Sequence, residues 1–158
     1  MSRAEPGVVA ERVVTAPRPV VFDFLADLEN HWLLTDRFVE VLTLERPAGG
    51  GPARGGRVRV RGPLGISRTA QTRVAVADPP HAIAGTASIG RRTEAQVRWT
   101  LAPEGESTRV RLEAAVQRAG ALEAVLLAAG GRRWLGHRFD SILATLARRM
   151  DDAQDSSA

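Results

Sequence analysis

Residues 93–116 read TEAQVRWTLAPEGESTRVRLEAAV. In the first half Ala95, Val97, Trp99 and Leu101 fall at every second position, with Glu94, Gln96, Arg98 and Thr100 between them. A period of two is that of a β-strand with one dry and one wet face. After the turn-forming APEGES the pattern resumes, Val110, Leu112, Ala114 and Val116 against Arg109, Arg111 and Glu113. Two long strands joined by a short turn form an antiparallel hairpin, and their half-dry faces imply a sheet solvated on one side.

The same period extends upstream. FVEVLTLE (38–45), RVRVR (57–61), ISRTAQTRVAVA (66–77) and IAGTASI (83–89) are bounded by the glycine-rich RPAGGGPARGG (46–56), by GPLG (62–65), by DPPHA (78–82) and by GRR (90–92). The series predicts a six-stranded meander, with 46–56 as a loop between two strands. Arg57, Arg59 and Arg61 occupy the polar phase here, as Arg109 and Arg111 do later, so they read as a solvated outer surface. No aromatic side chains are interleaved with them to stack bases, and nucleic acid is not an expected partner.

The ends are helical in period. Val8–Thr15 is valine-rich and reads as a strand. In APRPVVFDFLADLENHW (16–32), Pro17 and Pro19 sit where a first helical turn needs no amide donors. Val20, Val21, Phe24, Leu25 and Leu28 then form an apolar stripe, and Asp27, Glu29 and Asn30 end that helix or cap a second short one near Trp32. In Ala121–Met150, Leu135, Phe139, Ile142, Leu143, Leu146 and Met150 make the apolar face of a long amphipathic helix, with Gly130-Gly131 as its bend or break. The architecture predicted is α+β: a curved antiparallel sheet wrapped around a long C-terminal helix, with two short helices after the first strand.

Length and composition fit one domain, residues 1–151, followed by a polar tail, 152–158, expected to be disordered. No stretch approaches the ~20 apolar residues of a membrane span, and the N-terminus carries no long apolar signal segment, so a cytoplasmic protein is expected. The absence of cysteine excludes disulfides and thiolate chemistry. All 22 basic residues are Arg, with a net charge of +4. Arginine in place of lysine raises the isoelectric point without adding charge at neutral pH, so the basic balance is ordinary for a soluble domain.

The order of elements, together with VVTAPRPVVFDFLADLENHW (13–32) and GHRFDSILATLARRM (136–150), resembles the START-like or SRPBCC superfamily, the helix-grip fold, in its polyketide cyclase/dehydrase and lipid-transport branch. The likeness rests on Ala16-Pro17, Val20-Val21-Phe22, Phe24-Leu25, Asp27 and Asn30, and spans about residues 8 to 150. Two departures stand out: Trp32 directly follows His31 and is followed by Leu33-Leu34, and the chain has no Tyr, which aromatic cyclases of this fold often use beside Arg. The resemblance implies an internal cavity between sheet and terminal helix that takes a hydrophobic small molecule.

Candidate chemistry is sparse. His31, His81 and His137 lack metal-ligand spacing, and no phosphate-binding, dinucleotide or nucleophile-elbow motif occurs, so no metal and no cofactor is expected. His81 reads as a turn residue and His137 as solvent-facing. Arg68 shares the phase of Ala70, Thr72, Val74 and Val76. It is either a strand-end residue reaching water past a bulge or an anchor for a carboxylate or carbonyl at a cavity mouth. Trp99, Val97, Ala95, Val110 and Leu112 from the sheet, Leu135 and Phe139 from the helix, together with Trp32, Phe38 and Arg68, are the candidate ligand-binding residues. The expected function is binding or carrying a lipid or polyketide-like molecule. The alternatives are a cyclase/dehydrase-type enzyme in which Arg68 polarises a carbonyl, and an interaction module using the Arg-rich strands.

Overall fold

A computed structural model of the chain describes residues 7–156 except 36, 63 and 64. The middle of the expected GPLG turn therefore lies outside the described residues, as do residues 1–6 and 157–158. Seven strands, β1 (Val8–Val14), β2 (Val39–Glu45), β3 (Gly55–Arg61), β4 (Ser67–Asp78), β5 (Ala82–Ile89), β6 (Thr93–Glu104) and β7 (Ser107–Arg118), form one antiparallel sheet in the order β1-β7-β6-β5-β4-β3-β2. The six-stranded meander is thus present, and β1 closes it by pairing with β7 from Val8↔Ala114 to Val14↔Thr108.

Two short helices, α1 (Arg18–Leu25) and α2 (Leu28–Leu34), connect the two edge strands of the sheet. Pro17 caps α1 and Pro19 lies in its first turn. The buried stripe is Val21, Phe22, Leu25 and Leu28, while Val20 is exposed. Helical period admits both Val20 and Val21 as the start of the stripe, and packing on the sheet selects Val21. At the far end α3 (Ala121–Leu126) is joined through a kink at Leu127–Gly131 to α4 (Arg132–Ser156). Gly130 has φ 105, and a Cβ on Gly131 would stand 2.6 Å from the Leu126 carbonyl oxygen, so this kink requires both glycines. The polar residues Asp152 to Ser156, expected as part of a disordered tail, continue α4. Propagating a formed helix costs less than starting one, and it outlasts the apolar stripe that ends at Met150.

The core lies between α4 and the concave side of the sheet. Phe139, Ile142, Leu143, Leu146 and Met150 of α4 pack with Val14, Val110 and Leu112. The outer face is charged. Arg57, Arg59 and Arg61 are exposed, Arg59 pairing with Glu40 at 3.2 Å, and Arg118 pairs with Glu94 at 3.0 Å. Among the described residues no helix is long and apolar enough to cross a membrane.

Candidate ligand cavity

The alternation in β3 to β7 turns one face of each strand toward α4, but α4 lies mainly over β1 and β7. Under β3, β4 and β5 the concave face is left without a helix directly on it, and a cavity of about 220 Å³ remains there. Its floor includes Val58, Ala70, Ile83, Gly85, Val97 and Trp99; its sides are α2 and the start of α4. The volume is somewhat below the range of about 300–1,000 Å³ usual for small-molecule sites.

Small side chains create this space. Ala70 sits in the inward phase of β4, and Gly85 of β5 faces Val97 on one side and Val74 on the other. A Cβ on Gly85 would lie 2.3 Å from the Arg73 carbonyl oxygen, so the close approach of β4 at its bulge excludes any larger residue. That same bulge, between Val74 and Val76, puts Val76 at 55% exposure, so it parts from Val74, with which it shares a phase in the sequence.

One rim is built by the junction of α1 and α2. The last carbonyls of a helix lack partners within it, and side chains of α2 supply them here. Asn30 Nδ2 donates to the Phe24 carbonyl at 2.8 Å, and His31 Nε2 lies 2.6 Å from the Leu25 carbonyl. Asp27 caps α2 by accepting from the Glu29 amide at 3.0 Å, and also accepts from the Ala53 amide at 3.1 Å. These bonds aim His31 at the sheet, where its ring meets Trp99 edge-on with centroids 5.3 Å apart. Burial moves the His31 pKa below its usual value, against the opposing pull of the Leu25 carbonyl and the Asp27 charge. Next to it, Trp32 Nε1 is buried with no hydrogen-bond partner. Across the site Phe38 and Trp134 meet edge-to-face at 6.0 Å, with the Arg138 guanidinium 4.8 Å above the Phe38 ring.

Seven of the ten candidate residues line this cavity: Trp32, Phe38, Val97, Trp99, Leu112, Leu135 and Phe139. Three do not. Val110 is fully enclosed in the core beneath α4, and Ala95 lies outside the cavity wall. Arg68 is ion-paired with Glu123 of α3, near Thr93 and Gly120, and it does not line the cavity. Burial opposes ionisation of Glu123, yet its own amide, the Arg68 guanidinium and the Thr93 hydroxyl together hold its pKa below the usual value. Arg68 is half-exposed as a strand-end residue, and its charge is met by a carboxylate of the chain itself.

Residues that sequence reasoning passed over include His31, weighed only as a metal ligand, and Trp134. Val58 and Val60 were legible as the dry phase between the three arginines. Trp134 precedes Leu135 and falls off the helical stripe; contact with Phe38 brings it to the site.

A concave sheet gripping a terminal helix, with an apolar cavity left between them, defines a helix-grip domain of the START-like, SRPBCC type. The chain belongs to the polyketide cyclase/dehydrase and lipid transport family, whose model matches residues 6–151. Similar solved structures include protein TTHA0849 of Thermus thermophilus, at 24% identity and a TM-score of 0.72, covering 94% of this chain and 99% of that one. A START superfamily protein of Mycobacterium smegmatis matches at 17% identity and a TM-score of 0.70, covering 93% of this chain and 98% of that one. No curated protein matches the chain.

Proposed function

We propose that this domain takes up and carries a hydrophobic small molecule, lipid or polyketide-like, in the cavity between the sheet and α4. One observation carries the reading: five of the seven Trp and Phe side chains, all three Trp with Phe38 and Phe139, border the same space. They are gathered around a gap lined almost wholly by apolar side chains. Burying about 200 Å² of ligand apolar surface there would contribute about 5 kcal/mol before ordering costs.

Family membership is compatible with both carriage and cyclase/dehydrase-type turnover. Carriage is favoured because the residue best suited to polarise a carbonyl, Arg68, is engaged by Glu123 away from the cavity. Native mass spectrometry of the purified protein tests the reading. The expected result is a retained apolar molecule, or stoichiometric uptake of one offered from a lipid extract. A protein that stays unliganded against several lipid classes and excludes neutral aromatic probes overturns it.

A further inference from the structure

The cavity's polar groups are few, and most are already engaged. Thr35 donates its hydroxyl proton to the Trp32 carbonyl at 2.7 Å, and Thr72 donates to the Gly56 carbonyl at 3.2 Å. Arg73 and Thr86 pair across β4 and β5 in the phase opposite to Thr72 and Ala87, so their side chains belong to the outer face. His31 is different. A carbonyl oxygen can only accept, so the 2.6 Å contact to Leu25 requires the proton on Nε2. A second proton on the ring would place a cation in an apolar wall. Nδ1 therefore carries a lone pair. Among the described residues it has no hydrogen-bond partner, and the His31 ring stands in the cavity wall.

We infer that His31 is the specificity-determining residue of this cavity, its Nδ1 accepting a hydrogen bond from a hydroxyl group on the bound molecule. The inference rests on the carrier reading above and narrows it. Among ring-bearing molecules of similar size, those with a free O–H are selected over their methyl ethers. A carboxylate or ketone oxygen at the same place would set lone pair against lone pair, so fatty-acid anions are disfavoured. Trp99 supports the role: its edge-on contact fixes the imidazole plane, and the Leu25 carbonyl fixes the tautomer.

The test is a matched pair of probes, 2-naphthol and 2-methoxynaphthalene, titrated calorimetrically into the full-length protein and into His31→Phe. Each probe presents the same rings, and only one carries a donor. In the unaltered protein naphthol is expected to bind at least as tightly as the more apolar ether. In His31→Phe the ratio of the two affinities should shift about tenfold toward the ether, the value of one hydrogen bond whose loss leaves a buried hydroxyl unpaired. An unchanged ratio with both probes still binding overturns the role of His31 while leaving the carrier reading intact. Failure of both probes to bind the unaltered protein overturns the inference, and uptake of lipids is then decided by the mass-spectrometric test alone. Should His31→Phe not fold, ¹⁵N-histidine NMR of the unaltered protein decides instead. Naphthol should shift the Nδ1 resonance and the ether should leave it in place; equal responses to the two overturn the inference.

Discussion

Arg68 and Glu123 form an ion pair that ties the end of β4 to the first turn of α3. Glu123 is the sole buried side chain of that helix, whose Leu122 and Val125 are exposed. The pair therefore joins α3 to the sheet, helped by the Gly120 amide donating to the Thr93 hydroxyl at 2.9 Å. Arg68→Met should leave a nearly buried carboxylate without its cation and cost about 1–3 kcal/mol in urea unfolding. Affinity for an apolar probe should stay within about twofold. Loss of binding in a variant that remains folded would return Arg68 to the site.

Ala70 is small where the cavity needs it to be. Ala70→Leu extends a side chain into the space between Val58 and Thr72, the neighbours of Ala70 on the floor. The expected outcome is at least a tenfold weaker apolar ligand with a stability change under about 1.5 kcal/mol, because the added methylenes enter a void. A large destabilisation with binding retained would mean that the cavity does not extend to Ala70.

Trp99 is 4% exposed and packs against His31 as well as the core. Trp99→Ala should cost about 3 kcal/mol or more by thermal or denaturant unfolding. The shorter change Trp99→Phe keeps most of the apolar volume and should cost less than half as much.

Acid should lower the stability of the protein in two stages. Burial lowers the pKa of His31, so the unfolded chain takes up that proton more readily. The contribution of neutral His31 is complete above about pH 6.5, the ordinary histidine value, and is lost as the pH falls through the lower folded value. Asp27 and Glu123 are also held below their usual values. For Asp27, burial is outweighed by the Glu29 amide, the Arg46 guanidinium and the Ala53 amide. Their contribution is present above the ordinary carboxylate range and is lost further down as they protonate. Denaturant midpoints measured from pH 8 to pH 3 should show the upper stage vanish in His31→Gln and the lower stage remain.

Asp27 ties α2 to the loop between β2 and β3 by capping the helix, holding the Ala53 amide and pairing with Arg46 at 3.1 Å. Asp27→Ala should cost about 1–2 kcal/mol and speed amide exchange at Ala53. Asp27→Asn keeps the acceptor that faces both amides and should recover a good part of the loss.

The strands from Val39 to Arg118 and the helix from Arg132 were legible because burial on one face imposes a period on the sequence, and period survives without knowledge of the partner. Thus Trp99, Val97, Leu112 and Phe139 could be placed on dry faces from their spacing alone, and the three arginines of β3 on the wet one. Spacing could not decide which dry residues meet one another and which meet space. Val110 and Val97 carry the same signal, yet Val110 lies under α4 and Val97 borders the cavity, because α4 crosses the sheet over β1 and β7. The partner of Arg68 was likewise invisible: Glu123 lies 55 residues away, and only the closing of the meander onto α3 brings the two charges together. His31 could be read as a residue near a helix end. Its free nitrogen exists because the fold sets the Leu25 carbonyl against the other one.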